Sequence, residues 1–355
     1  MVVQAQFWKG RRVLITGHTG FKGSWLALWL QSRGAAVAGF ALAPPEGPAL
    51  WKLLCLENEI THFEGDVRDG SALTRAFERT RPEIVLHLAA QSLVHASYKD
   101  PVSTYSTNVM GTVQVLEAAR QVPGVRVLLN VTSDKCYENR EWAFSYREND
   151  AMGGHDPYSS SKGCSELVTA AYRNSFLATM QIAVATARAG NVIGGGDWAA
   201  DRLIPDFVRA CAVRASVQIR NPQAIRPWQH VLEPLQGYLC LAEKLWDAGQ
   251  AHADAWNFGP PAEDVASVGN VVSALVSIWG DGARWDRDSQ EHAHEAHLLK
   301  LDSSKSRSQL GWRSRLPLQT ALQWTVDWYK QQAAGVSARK LCLDQIHRYE
   351  ELARA

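Results

Sequence analysis

The chain has 355 residues, 46% of them hydrophobic and 21% charged, an ordinary globular balance with room for one large or two smaller domains. Its 37 basic and 36 acidic side chains leave no net field to gather nucleic acid or an anionic membrane, so an anionic ligand must be met by locally placed arginines. The six cysteines (Cys55, Cys136, Cys164, Cys211, Cys240 and Cys342) are scattered without a Cys-x-x-Cys pair, which argues against a disulfide framework or structural zinc and for reduced, cytoplasmic thiols.

In chain order, Met1 to Lys9 lack a basic region followed by an apolar run, and no stretch of about 18 uncharged apolar residues follows, so a soluble cytoplasmic protein is expected. Arg12 to Thr16 is a β-branched apolar run that breaks at Gly17, and Ser24 to Leu30 continues at helical spacing until Gly34. Further strands are predicted at Ala36 to Leu42, Thr61 to Gly65 and Ile84 to Leu88, with a helix from Ser71 to Thr80. Asn108 to Gln121 reads as a helix, Val125 to Val131 as a buried strand, Tyr158 to Phe176 as a long helix and Gln181 to Ala187 as a strand. Strands alternating with helices imply a parallel sheet covered on both faces, reaching to about residue 187. Beyond it the rhythm loosens: Gly194-Gly195-Gly196 and proline-containing stretches mark loops, with helices expected at Leu203 to Ala212 and Leu235 to Ala248.

Between the first strand and helix lies Thr16-Gly17-His18-Thr19-Gly20-Phe21-Lys22-Gly23, with glycines three apart. Such a turn lets the backbone bend sharply, approach a pyrophosphate and aim helix N-terminal amides at it; a purely structural turn is the alternative. No acid stands at the end of the second strand to hold a ribose, so NAD and NADP are not distinguished there. Asp66 and Val67 either hold an adenine or, for Asp66, cap the helix from Ser71. Tyr158 and Lys162, four apart, share a helix face. An ammonium at Lys162 is expected to lower the phenol's pKa and make Tyr158 a general base for a sugar hydroxyl beside a nicotinamide.

The glycine turn, Leu88-Ala89-Ala90-Gln91, Asn108, the Tyr158 and Lys162 pair and Arg188-Ala189-Gly190-Asn191-Val192 resemble the extended short-chain dehydrogenase/reductases that remodel nucleotide sugars. Within them, Ser133-Asp134-Lys135, Gly194 to Trp198, Asp201 to Asp206 and Ile225 to Val231 resemble the CDP-glucose 4,6-dehydratases. The resemblance spans nearly the whole chain. It implies an α/β fold: a Rossmann-type doubly wound parallel sheet with a smaller C-terminal substrate-binding domain. The expected division is 1–187, joined by 231–259, for NAD binding; 188–230 and 260–335 for substrate; and a C-terminal helix over 336–355. It further implies NAD as cofactor, a nucleotide sugar as substrate, and a homodimer or dimer of dimers paired through the helices at about 108 to 121 and 158 to 176.

On that resemblance, Gly17, His18, Thr19, Gly20, Phe21, Gly23, Asp66, Val67, Leu88, Ala89, Ala90, Asn108, Tyr158 and Lys162 surround the cofactor, His18 by shaping the turn. Tyr158, Lys162 and Ser133 oxidise C4 of the hexose. In related dTDP-glucose enzymes a Thr-Asp-Glu triplet carries dehydration; the aligned residues here are Ser133-Asp134-Lys135. Asp134 serves as acid if the site raises its pKa. Lys135 serves as base at C5 only unprotonated, through desolvation or a nearby cation such as Lys162. Gln91, Asn191, Arg202, Arg220 and Arg226 are the candidate substrate contacts, the arginines because guanidinium groups bind phosphate bidentately. His292 to His297 has neither His-Glu-x-x-His spacing nor a partnering set, so no metal is expected. The alternatives are another nucleotide-sugar 4,6-dehydratase, a 4-epimerase, or a non-catalytic dinucleotide-binding regulator on the same fold.

Overall fold

The computed structural model describes residues 3–44, 46–290 and 296–354. Six strands alternate with helices through the first half: β1 Arg12–Thr16, β2 Ala36–Ala41, β3 Thr61–Glu64, β4 Ile84–His87, β5 Val127–Val131 and β6 Ala183–Ala189. A later strand, Ala255–Phe258, pairs in parallel with β6 and forms one edge of a seven-stranded parallel sheet. From that edge the order runs β6, β5, β4, β1, β2 and β3.

Strand periodicity explains how both faces are covered. Val13 and Ile15 of β1, with Ile84 and Leu86 of β4, join the core on one face; Leu14 and Val85 join the other. Alternate side chains of a strand point to opposite faces, and two apolar faces demand two helical layers. The helix Phe21–Ser32 buries every residue from Gly23 to Leu30. Its Trp-Leu-Ala-Leu-Trp-Leu run offers no polar face, and the C-terminal helix Ala338–Arg354 covers its outer side. There Trp29 Nε1 donates to Glu350 Oε1 at 2.8 Å, and Arg33 pairs with the same carboxylate.

Several predicted ends move by a few residues. Leu42, Gly65 and Leu88 leave their strands for the loops at the carboxyl edge, while β6 runs on to Ala189. The helix expected from Asn108 opens as a π turn, Ser106–Met110, before Gly111–Gln121. The long helix starts at Pro157, capped by Asp156, and ends in a π turn, Arg173–Leu177. The helix expected from Leu235 begins at Leu232.

Because β1 is flanked by β2 on one side and β4 on the other, the chain's two halves diverge there and leave a crevice at the strands' carboxyl ends. Three short two-stranded pairings wall it beyond β6: Asn191–Ile193 with Trp228–His230, Val217–Ile219 with Trp285–Arg287, and Ile225–Arg226 with Ala266–Ser267. Among the described residues no helix is long and apolar enough to cross a membrane. His292, His294 and Glu295 of the histidine-rich stretch lie outside the described residues.

Candidate active site

The crevice encloses a cavity of about 700 Å³, running from the glycine turn past the ends of β4 and β5 to Arg220. At its start the turn is tight. A Cβ on Gly17, whose φ is +75°, would lie 2.7 Å from the Ala89 nitrogen, and one on Gly23 would lie 2.2 Å from the Gly17 carbonyl oxygen. Only glycine fits, and the first helical turn comes up to the cavity with no side chain capping it. Gly17, Thr19, Gly20, Phe21, Gly23, Asp66, Val67, Leu88, Ala89 and Ala90 all line this end.

Two of the predicted cofactor residues stand behind the wall. His18 is buried, 2.7 Å from His62 Nδ1, and its ring fills the space that a Cβ on Gly39 would occupy. Burial, with His62 adding, pushes it down to about 3, so it is a neutral packing residue that shapes the turn. Asn108 is also buried: its Oδ1 accepts from the Gln91 amide at 2.8 Å, and its Nδ2 donates to the Gln91 carbonyl and to Ser161 Oγ. It ties the loop after β4 to the helix carrying Tyr158, so it orients wall residues and does not line the cavity. The helix at Gly70–Thr80 is capped by Asp69, which accepts from Ala72; Asp66 is gripped by Arg68. The capping alternative for Asp66 is therefore overturned.

Past the end of β5, Ser133 caps a short turn formed by Asp134, Lys135 and Cys136. Ser133 Oγ donates to Asp134 Oδ1 at 3.0 Å and accepts from the Lys135 amide at 3.2 Å. Asp134 Oδ2 is buried without a hydrogen-bond partner. Burial raises the Asp134 pKa, against Lys135, the Ser133 hydrogen bond, Arg226 and Lys22. Pro157 and the Asp156 cap start the next helix, putting Tyr158 in its first turn and Lys162 one turn on, its Nζ donating to the Val131 carbonyl at 3.4 Å. Tyr158, Lys162, Ser133, Asp134 and Lys135 all line the cavity.

The electrostatics correct one expectation. Burial, and not Lys162, dominates at Tyr158: it pushes the phenol up to about 12, with Ser133 and the charge of Arg202 pulling it back. Burial likewise lowers Lys162 to about 8. Enclosure penalises the charged forms of both Tyr158 and Lys162, and at Tyr158 it outweighs the neighbouring cations. The Lys162 charge falls on His87 and on Lys22.

Lys22 is the residue that sequence reasoning missed. It lines the cavity with Nζ 3.5 Å from Tyr238 Oη, and burial, then repulsion from Lys162 and Arg202, lowers it to about 7. A signal existed: the macrodipole disfavours a cation in the first turn of a helix. At the far end Gln91, Asn191, Arg202, Arg220 and Arg226 line the cavity. Gln91 is pinned to Leu93 and Thr104, Arg202 bridges Asp197 and Ser92, and Arg220 lies against His95. The field of Arg226 reaches Asp134.

A family model described as GDP-mannose 4,6 dehydratase matches residues 14–325. A CDP-glucose 4,6-dehydratase of Salmonella typhimurium is 52% identical over 334 residues, 93% of each chain. A UDP-glucose 4-epimerase of Thermotoga maritima, solved with UDP-glucose, superposes with a TM-score of 0.79 at 22% identity, over 90% of this chain and 99% of that one. A dTDP-glucose 4,6-dehydratase of Streptomyces venezuelae, with NAD and TYD bound, does so with a TM-score of 0.77 at 24% identity, over 91% and 98%. At those identities the solved structures speak for a shared fold, which dehydratases and epimerases have in common.

Proposed function

The chain belongs to the GDP-mannose 4,6 dehydratase family, and from that premise we propose that it converts CDP-glucose to CDP-4-dehydro-6-deoxyglucose and water, as a hydro-lyase with NAD as resident cofactor. The observation that carries this reading is the 52% identity, across 93% of both chains, to a CDP-glucose 4,6-dehydratase. The buried, partly unsatisfied Asp134 beside Ser133 supports it chemically, because epimerisation at C4 requires no acid for a departing C6 oxygen.

The cavity suits a dinucleotide. The turn packs backbone against backbone at Gly17 and Gly23, where a Cβ would collide, and the helix it leads into starts without a side-chain cap, so a pyrophosphate can come close to the helix N-terminus. Gly17, Thr19, Gly20, Phe21 and Gly23 would hold it, Asp66 and Val67 the adenine end, Leu88 to Ala90 the wall, and Lys162 the nicotinamide ribose. When bound, NAD supplies a hydride acceptor at C4 and a hydride donor at C6.

The remaining work falls to the chain. Tyr158 takes the proton of the C4 hydroxyl and Ser133 holds the C4 oxygen as charge develops there. Asp134 gives a proton to the C6 oxygen, and Lys135 is our candidate for the base that takes the one at C5, which the C4 ketone acidifies. Asn191, Arg202, Arg220 and Arg226 are our candidates for the diphosphate and its sugar, with Gln91 fixing the loop beside them. We assign 1–187 with 231–259 to the cofactor, and 188–230 with 260–335 to the substrate. Exposed Val102, Met110, Leu167 and Phe176 on the helical layer at 101–121 and 157–177 support a homodimer through those helices. A cytoplasmic place and a part in deoxysugar supply for surface polysaccharide complete the reading.

The test is incubation of the purified protein with CDP-, dTDP-, UDP- and GDP-glucose, reading the ultraviolet absorbance of a 4-keto sugar in alkali. Turnover of CDP-glucose alone is expected. Turnover of dTDP-glucose with none of CDP-glucose would overturn the nucleotide assignment, and a C4 epimer that keeps its C6 hydroxyl would replace the dehydratase by an epimerase.

A further inference from the structure

Resting on that function, we infer that Glu166 and Arg188 are positioning residues: as one ion pair behind the cavity wall they grip both ends of the turn carrying Ser133, Asp134 and Lys135, and hold it against the helix of Tyr158 and Lys162. The near end is gripped through Thr132, whose Oγ1 donates to Glu166 Oε1. The far end is gripped through Tyr137, whose Oη accepts from Arg188 Nη1 at 2.7 Å and donates to Asn257 Oδ1 at 2.7 Å. Between the grips the pair is locked. Arg188 Nε and Nη2 each donate to a different Glu166 oxygen at 2.9 Å, and Thr186 Oγ1 adds a bond to Oε2 at 2.7 Å. A bidentate guanidinium–carboxylate pair fixes direction as well as distance, so the two grips keep a set separation.

Spacing along the helix gives the pair its hold on the site. Glu166 follows Lys162 by four residues, as Lys162 follows Tyr158, so the three share one face of the helix Pro157–Tyr172. Lys162 Nζ donates to the Val131 carbonyl at 3.4 Å, and Asn130 Nδ2 donates to Ser165 Oγ at 3.0 Å and Thr169 Oγ1 at 2.8 Å. Residues 130, 131 and 132 are thus fastened in succession to one helix. Gly163 lets that helix come close to the turn, since a Cβ there would lie 3.3 Å from the Cys136 carbonyl oxygen and 2.9 Å from that of Gly153. The Asp134 side chain is bonded only within the turn, to Ser133, so its place follows the turn's backbone.

The two grips bear on different steps. Ser133, which holds the C4 oxygen in the proposed function, directly follows Thr132, whereas Lys135, the candidate base at C5, lies nearer Tyr137. Loosening the far end leaves Ser133 anchored and Tyr158 and Lys162 on their helix, so the loss falls on dehydration. Loosening the near end reaches oxidation as well. A catalytic group displaced by an ångström loses up to about a hundredfold in rate.

Tyr137→Phe and Thr132→Val each remove one hydroxyl and keep the bulk of the side chain. In single turnovers of the holoenzyme with CDP-glucose, Tyr137→Phe is expected to oxidise C4 within about threefold of wild type and to release the C6 oxygen about tenfold or more slowly. Reduced dinucleotide then builds up above the wild-type level, read by its near-ultraviolet absorbance. Thr132→Val should slow both steps, and Thr132→Ser, which keeps the hydroxyl, should restore them. A readout without chemistry is amide hydrogen exchange: the Lys135 and Cys136 amides, which donate to Ser133 Oγ and to the Ser133 carbonyl, should exchange about tenfold faster in Tyr137→Phe, with β5 unchanged. Oxidation and dehydration slowed equally in Tyr137→Phe, or neither slowed, overturns the inference, as does exchange that quickens throughout β5. Failure of the wild-type protein to form a 4-keto sugar would instead remove the proposed function, and the exchange measurement would still decide whether the pair holds the turn.

Discussion

Two buried acids, Asp134 after β5 and Glu166 in the helix Pro157–Tyr172, show how one kind of side chain serves two ends. Both are nearly inaccessible, at 3% and 4% exposure, so the difference lies in their partners. Glu166 accepts from Thr132, from Thr186 at 2.7 Å and from two nitrogens of Arg188 at 2.9 Å. Burial pushes its pKa up, but Arg188 and these hydrogen bonds overcome it and hold the carboxylate ionised. Asp134 has one bond to Ser133 and an oxygen with none, and burial wins. A carboxylate whose lone pairs are all engaged is a fixture of the fold; one left partly bare is poised to take and give a proton.

The contrast can be broken from either side, and the reactive acid should show the larger effect. Asp134→Asn is expected to cut formation of the 4-keto product by about 10²- to 10⁴-fold, with unfolding free energy changed by less than about 1 kcal/mol, measured by alkali absorbance and urea denaturation. Normal product formation would remove Asp134 from the chemistry. Arg188→Met strands the Glu166 charge and should cost about 3–5 kcal/mol in the same denaturation, with Glu166→Gln added to it recovering part of the loss.

Glu233 sharpens the comparison, being buried like Glu166 but bonded by two backbone amides and a phenol, with the Arg315 charge offsetting its burial only in part. Its oxygens accept from the Arg315 and Leu316 amides and from Tyr349, and burial still pushes it up to about 7 from 4.5. A folded pKa above the unfolded one gives stability that is complete below pH 4.5 and is lost as pH rises through about 7. Wild type should lose on the order of 3 kcal/mol from this group across that window, and Glu233→Gln should not; the difference between their denaturation curves against pH checks it. The smallest effect belongs to Lys22. Below about pH 7 it is an ammonium whose field favours ionised Asp134, and above it that help is withdrawn. Lys22→Met should erase an inflection near pH 7 in the turnover profile while changing its plateau by less than about tenfold.

Much of the fold was legible because its signals are local and periodic. Runs such as Ile84 to Leu86 and Val127 to Leu129 are apolar throughout, as strands covered on both faces must be. The glycine turn was legible because sterics at Gly17 and Gly23 admit nothing else. Tyr158 and Lys162 could be placed on one face by counting. What could not be counted was burial: the sign of the Tyr158 shift, and the retreat of His18 and Asn108 behind the wall, depend on segments tens of residues distant.

By itself, then, the order of residues determined the alternation of strands and helices, the phosphate turn and the roster of chemically able side chains, since each is written in spacings shorter than one element. Only the tertiary structure decided which of those side chains lost water and which found partners: Lys22 set against Tyr238, Glu166 saturated by Arg188, Asp134 with one bare oxygen. Desolvation and hydrogen-bond satisfaction are properties of an enclosure, and the enclosure exists only once distant strands have closed it.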